Sequence, residues 1–118
     1  MTRAELGEWI AAYERAWRTP GTAALEELFA RDATYRTAPF REPHRGLDAI
    51  ERLWEAEREG ADEPFSMTSR VVAVEENTGV ARVHVIYEDP PAEWLDLWIV
   101  RLEAGRCTAF EEWPFAPG

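Results

Sequence analysis

The sequence predicts an α+β domain in which three helices cover the concave face of a strongly curved, mainly antiparallel sheet. Apolar residues recur at helical spacing through the first half of the chain. Four strand-like segments fill the second half, and short turn sequences separate them. Helices followed by an antiparallel meander is the order of an α+β domain. A chain of 118 residues is expected to form one domain, residues 1–118, with room for a core and one modest cavity.

Leu6, Trp9, Ile10, Tyr13 and Trp17 lie on one face of a first helix that ends before Thr19-Pro20-Gly21. Thr22 has the chemistry of an N-cap for a short second helix, with Leu25, Leu28 and Phe29 as its buried stripe. Asp32 to Phe40 reads as a short extended piece, interrupted by Pro39 and Pro43. Gly46 then precedes a third helix whose apolar face is Leu47, Ile50, Leu53 and Trp54. Its other face, Glu51, Arg52, Glu55, Arg58 and Glu59, is a solvated charge run.

The strands are predicted over 66–75, 80–88, 94–102 and 106–113. Asn77-Thr78-Gly79 and Glu103-Ala104-Gly105 read as three-residue turns ending in a glycine of positive φ, and Asp89-Pro90-Pro91 as an irregular join. A three-residue turn at 103–105 sets Trp98 opposite Phe110 and Asp96 opposite Glu112, with Trp94 and Val100 on the same face. The same count at 77–79 puts Met67, Ser69, Val71 and Ala73 on one face with Val83, Val85 and Tyr87. Matching apolar rows across the irregular join sets Val85 near Asp96 and sends His84 to the other side; a one-residue slip reverses this. Residues 94–102 are apolar on both faces, so a second cover is needed beyond the helices. The expected cover is a second copy of the chain, packed on Leu95, Leu97 and Ile99 with Arg70, Val72, Val74, Ile86, Ala109 and Trp113 around them.

Composition narrows the function. Acidic residues outnumber basic ones by 23 to 13, and a net charge of −10 repels phosphate backbones and anionic lipid. Nucleic acid and membrane are therefore not expected partners, and no apolar run is long enough to span a bilayer. Every basic residue is arginine, so Schiff-base and P-loop lysine chemistry are excluded. Neither Ser66 nor Ser69 sits in a G-x-S-x-G turn, and no G-x-G-x-x-G occurs. His44 and His84 lack a second ligand at metal-site spacing apart from Glu42 beside His44, so no metal or cofactor is expected. The single Cys107 reads as structural, and cysteine usage points to a reducing cytoplasm.

Several stretches also look familiar. "LEELFARDATYRTAPFREPHRGLDAIERLWE", "GVARVHVIYE", "LDLWIVRLEAGRC" and the closing "FEEWPF" resemble the SnoaL-like polyketide-cyclase group of the nuclear transport factor 2-like superfamily, over nearly the whole chain. That resemblance implies a cone-like sheet with the helices closing a pocket, and dimers packed on the outer sheet face. It also implies a choice among isomerase, cyclase, epoxide hydrolase, dehydratase and non-catalytic binding roles. The isomerase pattern of a first-helix tyrosine and two aspartates finds Tyr13, but Ala38 and Trp98 stand at the two aspartate positions. The cyclase pattern of an aspartate from the last strands is met by Asp96 or Glu112.

The expected site is therefore Asp96, Glu112 and Tyr13 in a pocket walled by Trp94, Trp98, Phe110, Tyr87 and Trp17. Two neighbouring carboxylates in apolar surroundings cannot ionise independently, so one keeps its proton towards neutral pH and can serve as an acid or a poised base. Such a pocket suits a cofactor-independent acid–base enzyme acting on a small apolar or cyclic substrate. The alternative is a ligand-binding or dimeric interaction module with the same pocket.

Overall fold

The computed structural model describes residues 1–58, 64–88 and 91–117. Glu59 and the Asp89-Pro90 part of the expected join fall outside these residues. Helix α1 (Arg3–Arg18) is followed by the single turn α2 (Leu25–Leu28), strands β1 (Phe29–Arg36) and β2 (His44–Arg45), and helix α3 (Leu47–Glu57). Strands β3 (Phe65–Glu75), β4 (Thr78–Glu88), β5 (Pro91–Glu103) and β6 (Arg106–Phe115) complete a curved six-stranded sheet in the order β2-β1-β6-β5-β4-β3. Every neighbouring pair is antiparallel except β1 and β6, which run parallel with Tyr35 beside Phe110.

Helix α1 starts in a capping box, with Thr2 Oγ1 accepting from the Glu5 N–H and Glu5 Oε1 accepting from the Thr2 N–H. Its buried face is Leu6, Trp9, Ile10, Tyr13 and Ala16, with Trp17 half-buried. The Arg58 guanidinium at the end of α3 donates to the carbonyls of Ala16, Thr19 and Gly21. Thr19 is the C-cap of α1 and Gly21 lies just beyond it, so the clamp ties the end of α3 to the end of α1 and the turn that follows. Ile50 and Trp54 face inward from α3 and join Phe29, Phe110 and Leu6 as the most buried large side chains.

The second helix is shorter than its stripe predicts. Ala24, not Thr22, occupies its N-cap, and Phe29 already belongs to β1. A Leu-x-x-Leu-Phe spacing suits a helical stripe as well as a helix-to-strand junction, and pairing with Cys107 of β6 decides for the strand.

Both expected three-residue turns are two-residue turns. Glu75 pairs with Thr78 around Glu76-Asn77, and Glu103 pairs with Arg106 around Ala104-Gly105. Ala104 and Gly105 both have positive φ, 52° and 81°, which matches the twist of the flanking strands. A bulge between Arg101 and Leu102 shifts the rest of that hairpin by one more residue. Asp96 therefore lies opposite Pro114, and it is Trp98 that faces Glu112. The combined shift is two residues, so Asp96 and Glu112 still share a face. In the other hairpin, a bulge between Val71 and Ala73 reverses the faces beyond it. Val74 packs against the core and Ala73 is exposed, the opposite of their expected placement.

Gly79 shows how closely α1 approaches the sheet. A Cβ there would lie 2.5 Å from Leu6 Cδ2 and 3.1 Å from Met1 Sδ. Because Leu6 is fully buried, it cannot swing aside. Gly79→Ala is expected to cost about 1–3 kcal/mol, measured by urea unfolding; an unchanged midpoint would show that α1 can move away.

Candidate functional site

The concave face of the sheet and helices α1 and α3 line an open cavity of about 540 Å³. Tyr13 and Trp17 reach it from α1, Trp54 and Glu57 from α3, and Tyr35 from β1. Val85 and Tyr87 come from β4, Trp94, Asp96 and Trp98 from β5, and Glu112 from β6. Alternation along the strands does this: Trp94, Asp96 and Trp98 are spaced by two, and β4 places Val85 opposite Trp94 and Val83 opposite Asp96.

Asp96 and Glu112 are both partly buried among these rings. Burial pushes the Glu112 carboxyl up to about 8, with the charges of Asp96 and then Glu57 adding to it. Burial likewise raises Asp96 to about 6, partly offset by the Trp98 indole. The Trp98 N–H lies near enough to favour the charged carboxylate, but neither Asp96 Oδ1 nor Trp98 Nε1 has a partner in hydrogen-bonding geometry. Near neutral pH the pair therefore holds one proton more than two isolated carboxylates would, with Glu112 the more basic site.

Tyr13 does not stand alone. Its hydroxyl lies 2.5 Å from that of Tyr35, with either oxygen able to donate. Burial first of all pushes both phenols well above 10. Two neutral hydroxyls joined by one hydrogen bond retain one further O–H to donate. Trp98 and Trp54 bracket Tyr13 at ring-centroid distances of 4.6 and 4.9 Å, and Trp17 stacks on it at 6.3 Å. These contacts fix the position of its hydroxyl.

Most of the expected site residues thus meet at one cavity. Trp94 stands at its edge, 41% exposed. Phe110 does not line it: the ring is fully buried between Tyr13, Tyr35 and Trp98 and supports them from behind. His84 points to the outer face, where its Nε2 lies 2.5 Å from Glu93 Oε2. Among the described residues no group of three or more His, Cys, Asp or Glu side chains is placed to hold a metal ion. Burial raises the Cys107 thiol to about 12, leaving it unreactive.

Sequence reasoning missed Tyr35, Glu57 and Arg41, all part of the lining. Glu57 had a readable signal, since it follows Trp54 by three residues and shares its helix face. Tyr35 had none locally, because its place depends on β1 lying beside β6.

Similar structures reproduce the architecture. An NTF2-like protein of unknown function from Burkholderia xenovorans LB400 superposes with a TM-score of 0.73 at 16% identity, covering 98% of this chain and 86% of that one. A proposed SnoaL-like polyketide cyclase from Jannaschia sp. CCS1 gives a TM-score of 0.67 at 13% identity, covering 92% and 85%. An LEH-like epoxide hydrolase from M. tuberculosis gives 0.66 at 10% identity, covering 95% and 84%. At these identities the likeness establishes the fold alone. No curated protein matches the sequence. The SnoaL-like domain model matches residues 10–110, and the chain belongs to that family.

Proposed function

We propose that the cavity binds a small, mostly apolar ring compound and performs cofactor-independent acid–base chemistry on it. Asp96 is the proton-transfer group, Glu112 tunes its proton affinity, and Tyr13, paired with Tyr35, donates a hydrogen bond to a substrate oxygen. The observation that carries this reading is the unpartnered Oδ1 of Asp96 beside a second carboxyl in an aromatic cavity. Ala38 and Trp98 stand where the isomerase pattern has its aspartates, so Asp96 supplies the base by a different route. Binding without turnover is the second reading. It is favoured if the Tyr13 O–H is spent on Tyr35.

Hydrogen–deuterium exchange at the α-carbon of 2-tetralone in D2O separates the two readings. Saturable exchange above the buffer rate is expected, falling about 10²–10⁴-fold in Asp96→Asn while binding, followed by tryptophan fluorescence, is retained. Binding with no exchange supports the second reading; neither binding nor exchange removes both.

The outer sheet face supports a homodimer. Leu95 and Ile86 are 44% and 40% exposed there, beside the partly buried Leu97, Ile99 and Trp113. Sedimentation at micromolar concentration is expected to give a dimer, and Leu97→Arg a monomer. A parent protein sedimenting only at 13.5 kDa would rule the dimer out. A cytoplasmic setting fits the lone, buried Cys107.

A further inference from the structure

Glu112 meets two carboxylates, not one: Asp96 from β5 and Glu57 from α3 both raise its proton affinity. All three line the cavity, and Arg41 is the one basic residue among the lining residues described. The ion pairs Glu14–Arg18 and Glu111–Arg36 and the Glu93–His84 hydrogen bond, all among the described residues, involve none of the three. Tyr13 and Tyr35 are the other titratable groups that feel Glu112, and both are neutral. A buried carboxylate with no cation beside it is unfavourable, and holding a proton is one way to relieve that. A cation is the other. The walls suit one, because the faces of tryptophan and tyrosine rings attract positive charge, most strongly where water is excluded. The indole N–H of Trp98, a residue only 3% exposed, has no partner in hydrogen-bonding geometry and is a separate sign of an occupant: an oxygen or ring nitrogen elsewhere on the ligand would accept from it, since the ammonium group itself has no lone pair.

We propose that the preferred ligand of this cavity is an organic cation, a ring compound bearing a protonated or quaternary amine, with its charge between Glu112 and Glu57 and its ring against Trp17, Trp94 and Trp98. This rests on the cavity being a ligand site, as read above. It leaves Asp96 free to move a proton at a neighbouring carbon. Binding exchanges the proton on Glu112 for the ligand's charge, so a permanent cation should bind more tightly as pH rises towards 8.

Benzyltrimethylammonium and its uncharged isostere neopentylbenzene test this, with binding read by tryptophan fluorescence. The cation is expected to bind about tenfold more tightly. That preference should fall to about twofold or less in Glu112→Gln and survive in Glu55→Gln, the same charge change on the exposed side of α3. Calorimetry at pH 7 in phosphate and in Tris should show proton release on cation binding. Equal or tighter binding of neopentylbenzene to the parent protein overturns the inference, as does an equal loss in Glu55→Gln or a lack of proton release. If 2-tetralone still binds and exchanges in that case, the acid–base reading stands and the cation preference alone falls.

Discussion

At pH 8.5 Glu112→Gln is expected to melt roughly 10 °C above the parent protein, whereas below pH 4.5 the two should melt nearly together. In the unfolded chain Glu112 releases its proton near the ordinary 4.5, and in the folded protein it holds the proton until about 8. Between these values the native state binds more protons than the unfolded state, so stability falls as pH rises. A shift of this size corresponds to something on the order of 4 kcal/mol at pH above 8, and an uncharged amide of the same shape should recover about half or more of it. Asp96, whose carboxyl is also raised, to about 6, adds to the slope at the acid end and keeps doing so in the variant. Thermal melts of both proteins from pH 4 to 9 are the measurement. Parallel curves would mean that Glu112 is hydrated in solution, and would remove the coupled pair on which the acid–base reading depends.

The composition of the pocket face was legible because the register errors, turn and bulge taken together, are even in each hairpin. The 103–105 turn is one residue shorter than expected, and the 77–79 turn moves to Glu76-Asn77, a register shift of three that leaves Gly79 inside β4; yet each hairpin carries a bulge that restores the parity, at 101/102 in one and 71/73 in the other. Side-chain direction alternates with period two, so a two-residue slip changes partners and leaves faces intact. That is why Trp94, Asp96, Trp98 and Glu112 meet at the cavity although Asp96 pairs with Pro114. Where the bulge falls inside the meander, as beyond Val72, the faces reverse and the reading of Ala73 and Val74 fails. Neither bulge contains a glycine to mark it. The helices were readable from their stripes, with the exception of Phe29, whose strand state is set by a partner at the far end of the chain. Tyr35 was hidden for the same reason, since nothing local says that β1 lies parallel to β6. The hydroxyl pair of Tyr13 and Tyr35 is a product of topology.

The largest loss of stability is expected from Trp54→Ala. Trp54 is 1% exposed, and its ring lies 4.8 Å from that of Trp17, 4.9 Å from Tyr13 and 6.5 Å from Phe29. Removing the indole forfeits its burial and leaves a void bordered by side chains already locked by other rings, Tyr13 by Trp98 and Phe110, and Phe29 by Trp9. Substitutions of this kind cost about 3–5 kcal/mol, a large share of the roughly 5–15 kcal/mol that holds a domain together. Urea unfolding should show the midpoint lowered accordingly with an unchanged slope. Even below its transition the variant should bind 2-tetralone weakly, because Tyr13 and Trp17 lose the ring that braces them. Trp54→Phe refills part of the space and should retain most of both stability and binding. A loss under about 1 kcal/mol in Trp54→Ala would show that the ring cluster can close over the gap, and the positions of Tyr13 and Trp17 would then be set by the sheet below them, not by α3.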